Sequence, residues 1–329
     1  MATLASRIRF GTPHQLEVLG AMEAFIRKQI EAHVSRRKLW FPNELSPADA
    51  GASTEDEALL TRLCDAAKGI PAAVLVALAL NLLTEEGLPH FHRLIAVHLG
   101  NDSPWCEWNN MWTAEEDRHG CAIRDYVRDA RLYRMTELEK LQYLYIEAGF
   151  DPEWEQDPYR LLAYTSLQEK ATQIAHSNTG RMAGNYEPRL QRVLAHISGD
   201  ESRHYAFYRG AFDEILKHDP NQALQSLQKV TLGFVMPGHN VAGFTDMSEV
   251  IRRADIFGPR QYQKIVEELL DFWQVGALKG LSAAGEQARD KLMKVPGRLS
   301  RVADYADAKA SKRAFKFDFL PSGQETLQI

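Results

Sequence analysis

The sequence predicts an all-α fold in which long helices lie side by side in a bundle. Apolar residues recur at helical spacing along most of the 329 residues, and turn signals separate these segments. A convincing strand alternation is absent, except in the tail FKFDFL at 315–320. Several predicted helices are about 20 residues or longer, and helices of that length usually pack against one another in bundles.

The predicted helices follow one another closely. The first, at 14–34, places Leu16, Leu19, Met22, Ile26 and Ile30 on one amphipathic face. A loop containing Pro, Gly and Ser follows at 42–54, and sequences such as GNDSP and HDPN mark later turns. The remaining predicted helices cover 55–67, 70–99, 104–130, 136–148, 158–180, 187–217, 222–235, 247–255, 260–277 and 279–293.

Composition narrows the class of protein. Hydrophobic content of 45%, charged content of 25% and a net charge of −5 are typical of a globular protein and argue against a general nucleic-acid binder. Cys64, Cys106 and Cys121 form no C-x-x-C pair, which favours a reducing, cytoplasmic setting. The N-terminus lacks the apolar core of a signal peptide, and the most apolar run, 70–83, is too short to span a membrane.

One pattern, acid-Glu-x-Arg-His, occurs twice, as EEDRH and as DESRH. It places Glu116 three residues before His119 and Glu201 three residues before His204. Side chains three positions apart share a helix face, with Cβ atoms about 5–6 Å apart, so each pair can bind one metal ion. A carboxylate with an imidazole suits iron or manganese better than calcium or magnesium. A single such pair is also typical of a solvated helix face.

Two more glutamates precede these motifs at nearly equal distances. Glu85 lies 31 residues before Glu116, and Glu169 lies 32 residues before Glu201, although Glu86 is an alternative to Glu85. Two lone glutamates and two Glu-x-x-His pairs on four helices match the ligand set of dinuclear carboxylate bundles. Four carboxylates would neutralise two divalent ions in a low-dielectric core. The predicted metal ligands are Glu85, Glu116, His119, Glu169, Glu201 and His204.

With these motifs the chain resembles the soluble acyl-carrier-protein desaturases of plant plastids and actinobacteria. The resemblance rests on KLWFPNELSP (38–47), TEEGLP (84–89), WTAEEDRHG (112–120), YTSLQEKATQIAHSNTGR (164–181), GDESRHYAFY (199–208) and FWQVGALKGLSAAGEQARD (272–290). It implies one ferritin-like domain over 1–329, with a di-iron core at about 70–217 and peripheral helices at about 222–329. It also implies a homodimer that uses two iron ions, O₂ and electrons from ferredoxin to introduce a cis double bond into a saturated acyl chain on acyl carrier protein.

The resemblance further implies roles for residues beside the metal ligands. In TEEGLP the family ligand matches the first glutamate, which selects Glu85 over Glu86. Asp200 and Trp112 match groups that support the ligating imidazoles, as metal-bound histidines generally require. Trp40 matches a tryptophan near the same groups.

The resemblance also indicates where the acyl chain lies. Thr172 resembles the family threonine that faces the oxygen site. Leu161, Thr165 and Gln168 are spaced to line a slot leading to the metal, although ordinary core packing explains them equally well. Trp154 and Leu161 are bulky where plant relatives tend to have smaller side chains near the buried end of the slot. Either change can alter the chain length or the double-bond position.

Two basic clusters are candidate docking surfaces for an acidic carrier protein. One is Arg36, Arg37 and Lys38, and the other is 289–316, which holds nine Lys or Arg against three Asp and includes Arg298 and Arg301. A merely solvated face is the alternative for each residue.

The same ligand set leaves other functions open. Hydroxylation of a carrier-bound chain keeps the metal site and changes only the product. Ferritin-like iron storage uses shorter chains, whereas about 110 residues follow the last predicted ligand here. Radical-generating reductase subunits commonly have Asp where this chain has Glu85.

Overall fold

The computed structural model describes residues 10–45, 54–150 and 156–329. Its helices are α1 Pro13–Ala21, α2 Glu23–Arg36, α3 Pro42–Leu45, α4 Thr54–Ala67, α5 Ala72–Glu85, α6 Leu88–Leu99, α7 Pro104–Asp129, α8 Met135–Ala148, α9 Pro158–Ala183, α10 Pro188–His218, α11 Pro220–Leu232, α12 Phe244–Arg253, α13 Pro259–Phe272, α14 Ala283–Leu292 and α15 Val295–Ala308, with a short 3₁₀ helix at Val275–Ala277. One small antiparallel pair joins β1 Ala314–Lys316 to β2 Thr326–Gln328. The predicted all-α fold is confirmed.

Four helices form the centre of the molecule. α5 packs against α7 and α9, and α10 packs against the same two helices, so the four form a closed ring. A proline begins each of the three longest, namely Pro104, Pro158 and Pro188, at a position where the missing N–H costs nothing. Asp157 and Glu187 cap α9 and α10 by accepting hydrogen bonds from backbone N–H groups of the first turn.

The remaining helices cover this ring. α12 packs on α5, whereas α11 and α13 pack on α9, with α14 and α15 outside them. Because α9 is covered from several sides, buried residues occupy nearly its whole circumference, and its sequence shows little amphipathic patterning. The expectation of a single domain over 1–329 stays a prediction.

Two predicted helices are each broken in two. The helix expected at 14–34 divides at Met22, and the one expected at 70–99 divides between Glu85 and Leu88. Gly87 lies at the second break because a Cβ there would come 2.7 Å from the Tyr145 hydroxyl. That close approach lets α6 change direction directly after α5.

The C-terminal region differs most from expectation. α15, Val295–Ala308, was not predicted, and the strand expected at 315–320 extends only over Ala314–Lys316. No single helix in the part of the chain that the structure describes is long and apolar enough to cross a membrane. One pair of helices joined at a bend, Asp56–Ala67 with Ala72–Glu85, meets the length and composition criteria for crossing one, and no other criterion.

Candidate metal centre

The structure brings all six predicted ligands into one buried cluster between α5, α7, α9 and α10. They form two overlapping groups, and the ligating atoms of each lie within 4.8 Å of one another. One group is Glu85, Glu116, His119 and Glu201, and the other is Glu116, Glu169, Glu201 and His204. Glu116 and Glu201 belong to both groups, so the cluster has the form of two metal sites that share two carboxylates.

Both imidazoles present Nδ1 to the cluster. His119 Nδ1 lies 3.6 Å from Glu85 Oε2, 3.4 Å from Glu116 Oε2 and 3.5 Å from Glu201 Oε1. His204 Nδ1 lies 2.8 Å from Glu116 Oε1 and 3.5 Å from Glu169 Oε2. Atoms bound to one ion at about 2.0–2.2 Å lie at comparable separations from one another.

The unpaired atoms of the cluster fit a bound cation. Among the described residues, Nδ1 of His119 and of His204 has no hydrogen-bond partner, nor has one carboxylate oxygen of Glu116, Glu169 and Glu201. Both imidazoles are 0% exposed. Buried polar atoms are rarely left unpaired, because desolvation without a partner is costly. Five such atoms at one place fit a cluster that is able to bind metal ions.

Three of the glutamates are fixed by hydrogen bonds from outside the cluster. His176 Nε2 lies 2.7 Å from Glu85 Oε1. Trp112 Nε1 donates to Glu169 Oε1 at 3.0 Å, and Thr172 Oγ1 donates to Glu201 Oε2 at 2.9 Å. The Trp112 indole N–H thus extends from α7 to a carboxylate on α9, while its ring lies edge-on to the His204 imidazole, with centroids 6.4 Å apart; its support of an imidazole stays a prediction.

Two acids, one directly before each of the shared glutamates Glu116 and Glu201, support the imidazoles crosswise. Asp200, on α10, lies 3.2 Å from Nε2 of His119, on α7. Glu115, on α7, lies 2.9 Å from Nε2 of His204, on α10. An acceptor at Nε2 holds the proton there and leaves the Nδ1 lone pair for the metal. The first acid of each acid-Glu-x-Arg-His copy thus supports the histidine of the other copy.

Residues 33–40, which form the end of α2 and the segment after it, make hydrogen-bonding contacts with both acids. Trp40 Nε1 donates to Asp200 Oδ2 at 2.8 Å, and its ring is parallel to that of His119, with centroids 6.2 Å apart. His33 Nε2 lies 3.1 Å from Glu115 Oε2. Residues 33–40 therefore contact the outer partners of both ligating imidazoles.

Sequence reasoning missed Glu115, His33 and His176 as supporting residues. Glu115 was detectable, because it occupies the same place in EEDRH as Asp200 does in DESRH. His176 lies seven residues after Glu169, which is two helical turns and hence the same face. His33 continues the buried face of α2, but nothing in its local sequence distinguishes it from a core residue.

The ionisation of the cluster follows from burial and mutual charge. Burial raises the pKa of Glu169 well above its usual range, and the negative charge of Glu201 raises it further. Burial disfavours the charged form of His204, but its hydrogen bond to Glu115 and the nearby carboxylates of Glu116 and Glu169 raise its pKa well above the usual range. Burial also opposes ionisation of Glu115, yet His204 and His33 lower its pKa below the usual range.

Two spaces adjoin the cluster. The outer cavity, of about 510 Å³, lies between α5, α9 and α12 and extends from buried Thr172 to exposed Arg313. The inner pocket, of about 20 Å³, lies beside the glutamates and is lined by Thr84, Glu85, Leu88, Phe91, Trp112, Glu116, Gln168, Thr172, Glu201 and Pro237. The two spaces share Thr84, Thr172 and Pro237.

The predicted slot residues have different surroundings. Gln168 lines the inner pocket. Leu161 and Thr165 are fully buried, and the Thr165 hydroxyl donates to the Leu161 carbonyl within α9. Trp154 lies outside the described residues.

The predicted docking residues lie at the surface in two places. Arg36 and Lys38 are exposed, whereas Arg37 is partly buried and its Nη1 lies 3.5 Å from Glu115 Oε1. Arg298 and Arg301 are exposed on α15.

Comparisons with known proteins agree with this arrangement. The profile of a family described as fatty acid desaturase matches residues 14–320. The chain is 32% identical over 315 residues to the chloroplastic stearoyl-acyl-carrier-protein 9-desaturase of Gossypium hirsutum, covering 91% of this chain and 79% of that protein. It is 33% identical over 303 residues to a Mycobacterium tuberculosis protein that bears the name acyl-carrier-protein desaturase DesA1, covering 88% and 87%.

A solved structure supports the fold independently. The X-ray structure of a protein from Mycobacterium tuberculosis, titled as the acyl-carrier-protein desaturase DesA2, aligns with a TM-score of 0.59 at 18% identity. The alignment covers 83% of this chain and 99% of that chain. With a buried Glu/His cluster able to bind metal and a profile match over nearly its whole length, the chain belongs to the fatty acid desaturase family.

Proposed function

We propose that this protein is an O₂-dependent desaturase that introduces a cis double bond into a saturated acyl chain carried on acyl carrier protein. The observation that carries the proposal is the position of the carboxylate–imidazole cluster beside the inner pocket, which shares Thr84, Thr172 and Pro237 with the outer cavity that extends to the surface. Family membership supports the reaction, and the names of the relatives support the carrier-bound substrate.

The reaction requires an oxidising centre rather than acid–base catalysis. An unactivated methylene has no acidic hydrogen, so redox cofactor chemistry must supply the oxidation. Two iron ions held by the six ligands would supply it with O₂, and the mixed carboxylate–imidazole ligand set favours iron. Two electrons come from the substrate as its two hydrogens leave, two electrons come from an external donor with two protons from solvent, and O₂ ends as two molecules of water.

The protein's own residues would position the reactants. Glu115 and Asp200 fix the imidazole tautomers, and Trp112, Thr172 and His176 each fix one carboxylate. The outer cavity would hold the acyl chain and exclude water, because Ala77, Leu80, Met236 and other apolar side chains line it.

The cavity also indicates where the carrier protein binds. Arg252 and Arg313 line the outer cavity, whereas Arg36, Arg37 and Lys38 do not. We therefore propose that an acidic carrier binds on the side of Arg313, and that α15 with Arg298 and Arg301 extends this surface. Ala303, two residues beyond Arg301, lines a basin that shares Arg252 with the outer cavity.

The other basic cluster has a different neighbour. Arg36, Arg37 and Lys38 directly precede the segment that connects Trp40 through Asp200 to His119. We propose that this cluster binds the electron donor, a ferredoxin. Opposite charge would steer the encounter of this cluster with an acidic donor.

The test is a reconstituted reaction. The purified protein is loaded with iron, supplied with reduced ferredoxin and O₂, and given saturated acyl carrier proteins. We expect two irons per chain and a cis-alkenyl product, with Glu169→Ala losing both. A hydroxylated product without alkene would overturn the desaturase reaction in favour of a hydroxylase, and a shell-sized particle that accumulates iron would favour storage.

The assembly and location remain proposals as well. We propose a homodimer in the cytoplasm, following the resemblance that the whole chain carries. Sedimentation equilibrium should give twice the mass of 37.3 kDa. A monomer at micromolar concentration would contradict the dimer.

A further inference from the structure

We propose that this enzyme acts close to the methyl end of its acyl substrate, so that no more than a methyl or ethyl group lies beyond the new double bond. The inference rests on the proposed desaturase function and on the unequal volumes of the outer cavity and of the inner pocket, which lies beside the metal cluster. It assigns the inner pocket as the terminus of the acyl site.

The two spaces follow the same helices in sequence. Along α9, the outer cavity is lined by Ala175 and Thr172, and the inner pocket by Thr172 and Gln168. Along α5 and α6, the outer cavity is lined from Ala77 to Thr84, and the inner pocket from Thr84 to Phe91. The outer cavity is lined by none of the six ligands, whereas the inner pocket is lined by Glu85, Glu116 and Glu201. An acyl chain that enters beside Arg313 therefore meets the cluster only at the inner pocket, and the part of the chain beyond the new double bond must also fit there.

The volumes limit what each side can hold. The outer cavity measures about 510 Å³ and the inner pocket about 20 Å³. A space needs about 10–15 Å³ on this measure to hold one water molecule. A methylene group is of similar size, so the inner pocket has room for about one or two carbon atoms. Nearly all of the acyl chain must lie on the outer side.

Aromatic packing closes the inner pocket. Phe91, which lines it, is 5% exposed, and its ring centroid lies 5.0 Å from that of Phe150 and 6.3 Å from that of Tyr164. The Tyr164 hydroxyl donates to the Val235 carbonyl, which further fixes this ring. Packed interiors resist insertion of extra methylenes, because added volume forces side chains out of their preferred rotamers.

The polarity of the inner pocket also disfavours a long alkyl tail there. Gln168 lines it, and its side-chain oxygen is buried without a hydrogen-bond partner in the described part of the chain. An alkyl tail pressed against this oxygen would deny it a partner, which is unfavourable. A long apolar tail is therefore excluded by chemistry as well as by volume.

The first experiment locates the product. The iron-loaded enzyme, with ferredoxin and O₂, receives a ladder of acyl carrier proteins from octanoyl to stearoyl, and mass spectrometry of disulfide adducts locates the double bond. We expect every alkene to lie within about two carbon atoms of the methyl end. An alkene followed by a butyl or longer group would overturn the inference and leave the desaturase function intact.

The second experiment uses binding to the metal-free protein. Affinity for the same ladder should rise about fourfold for each added methylene until the outer cavity is filled, and then stop rising. Phe91→Leu and Leu88→Ala should each move that limit to a longer chain, whereas Phe212→Leu, a buried control on α10, should not. A limit that stays unchanged in both pocket variants, with melting temperatures near wild type, would refute the inner pocket as the terminus.

The two experiments separate the two proposals. A chain-length limit that responds to Phe91→Leu, with a hydroxylated product, would sustain the inner terminus and reject desaturation.

Discussion

Removing the Glu115 carboxylate tests the crosswise support of the imidazoles, because no other residue that the structure describes accepts a hydrogen bond from His204 Nε2. Glu115 is 2% exposed and also lies 3.1 Å from His33 Nε2. Glu115→Ala removes the acceptor and its charge. Glu115→Gln keeps one acceptor oxygen but not the charge, so it should have the smaller effect.

The expected magnitude follows from these contacts. Loss of an outer partner of a metal-bound histidine weakens metal binding about 10–100-fold, or about 1.4–2.7 kcal/mol. We expect Glu115→Ala near the upper limit and Glu115→Gln near the lower one. Two buried imidazole N–H groups left unpaired would also cost about 2–6 kcal/mol of metal-free stability, at about 1–3 kcal/mol each. With an unfolding entropy of about 0.7 kcal/mol per degree for a chain of this length, the melting temperature should fall by about 3–9 °C.

The assay is a titration with cobalt(II), followed by its visible absorption and by calorimetry. Glu86→Ala is the matched control, since Glu86 is a partly buried glutamate next to a ligand but binds Arg124 rather than a histidine. Its effect on metal affinity should be well below tenfold. Equal losses in Glu115→Ala and Glu86→Ala, or wild-type affinity in Glu115→Ala, would refute the crosswise support.

Three further predictions concern metal, pH and electron entry. Cobalt(II) at about 100 times its Kd should stabilise the protein by about 2.7 kcal/mol per site, and a melting temperature that does not rise would contradict the centre. The metal-free protein should be most stable near pH 4.5: the lowered pKa of Glu115 and Asp200 makes stability fall at lower pH, the raised pKa of Glu169 makes it fall as the pH rises above about 4.5, and the raised pKa of His119 and His204 adds to this fall above about pH 6.5. Thermal melts across pH check this, and bound metal should abolish the alkaline loss. Trp40→Phe should slow reduction by ferredoxin in stopped-flow mixing while metal content stays at wild type; loss of metal instead would indicate a structural role.

Much of the fold could be predicted because its signals are local. Prolines and caps fixed the starts of α7, α9 and α10 to within one residue of expectation. The break between α5 and α6 could not be predicted, since it depends on Gly87 meeting Tyr145, a residue 58 positions later. α15 was not among the predicted helices, because its segment was interpreted as a charged surface and not as a helix.

In the candidate site, too, relations within one helix could be predicted from the sequence, whereas relations between helices could not. Glu116 and His119 must share a face because they lie three residues apart on one helix, and the same holds for Glu201 and His204. Within a helix, backbone hydrogen bonds fix such relations without reference to the rest of the chain. Because the motif occurs twice, the sequence predicted that both copies contribute to one metal site.

Relations between helices were decided by packing alone. That Glu115 contacts His204 rather than His119, and that Trp112 binds Glu169, depends on how α7 lies against α9 and α10. The same is true of the outer cavity and the inner pocket, whose volumes are set by side chains far apart in the sequence. The sequence by itself determined which residues can bind the metals, because helical periodicity is local; the tertiary structure decided which partners hold them and how much space adjoins them, because those distances arise only when the helices pack.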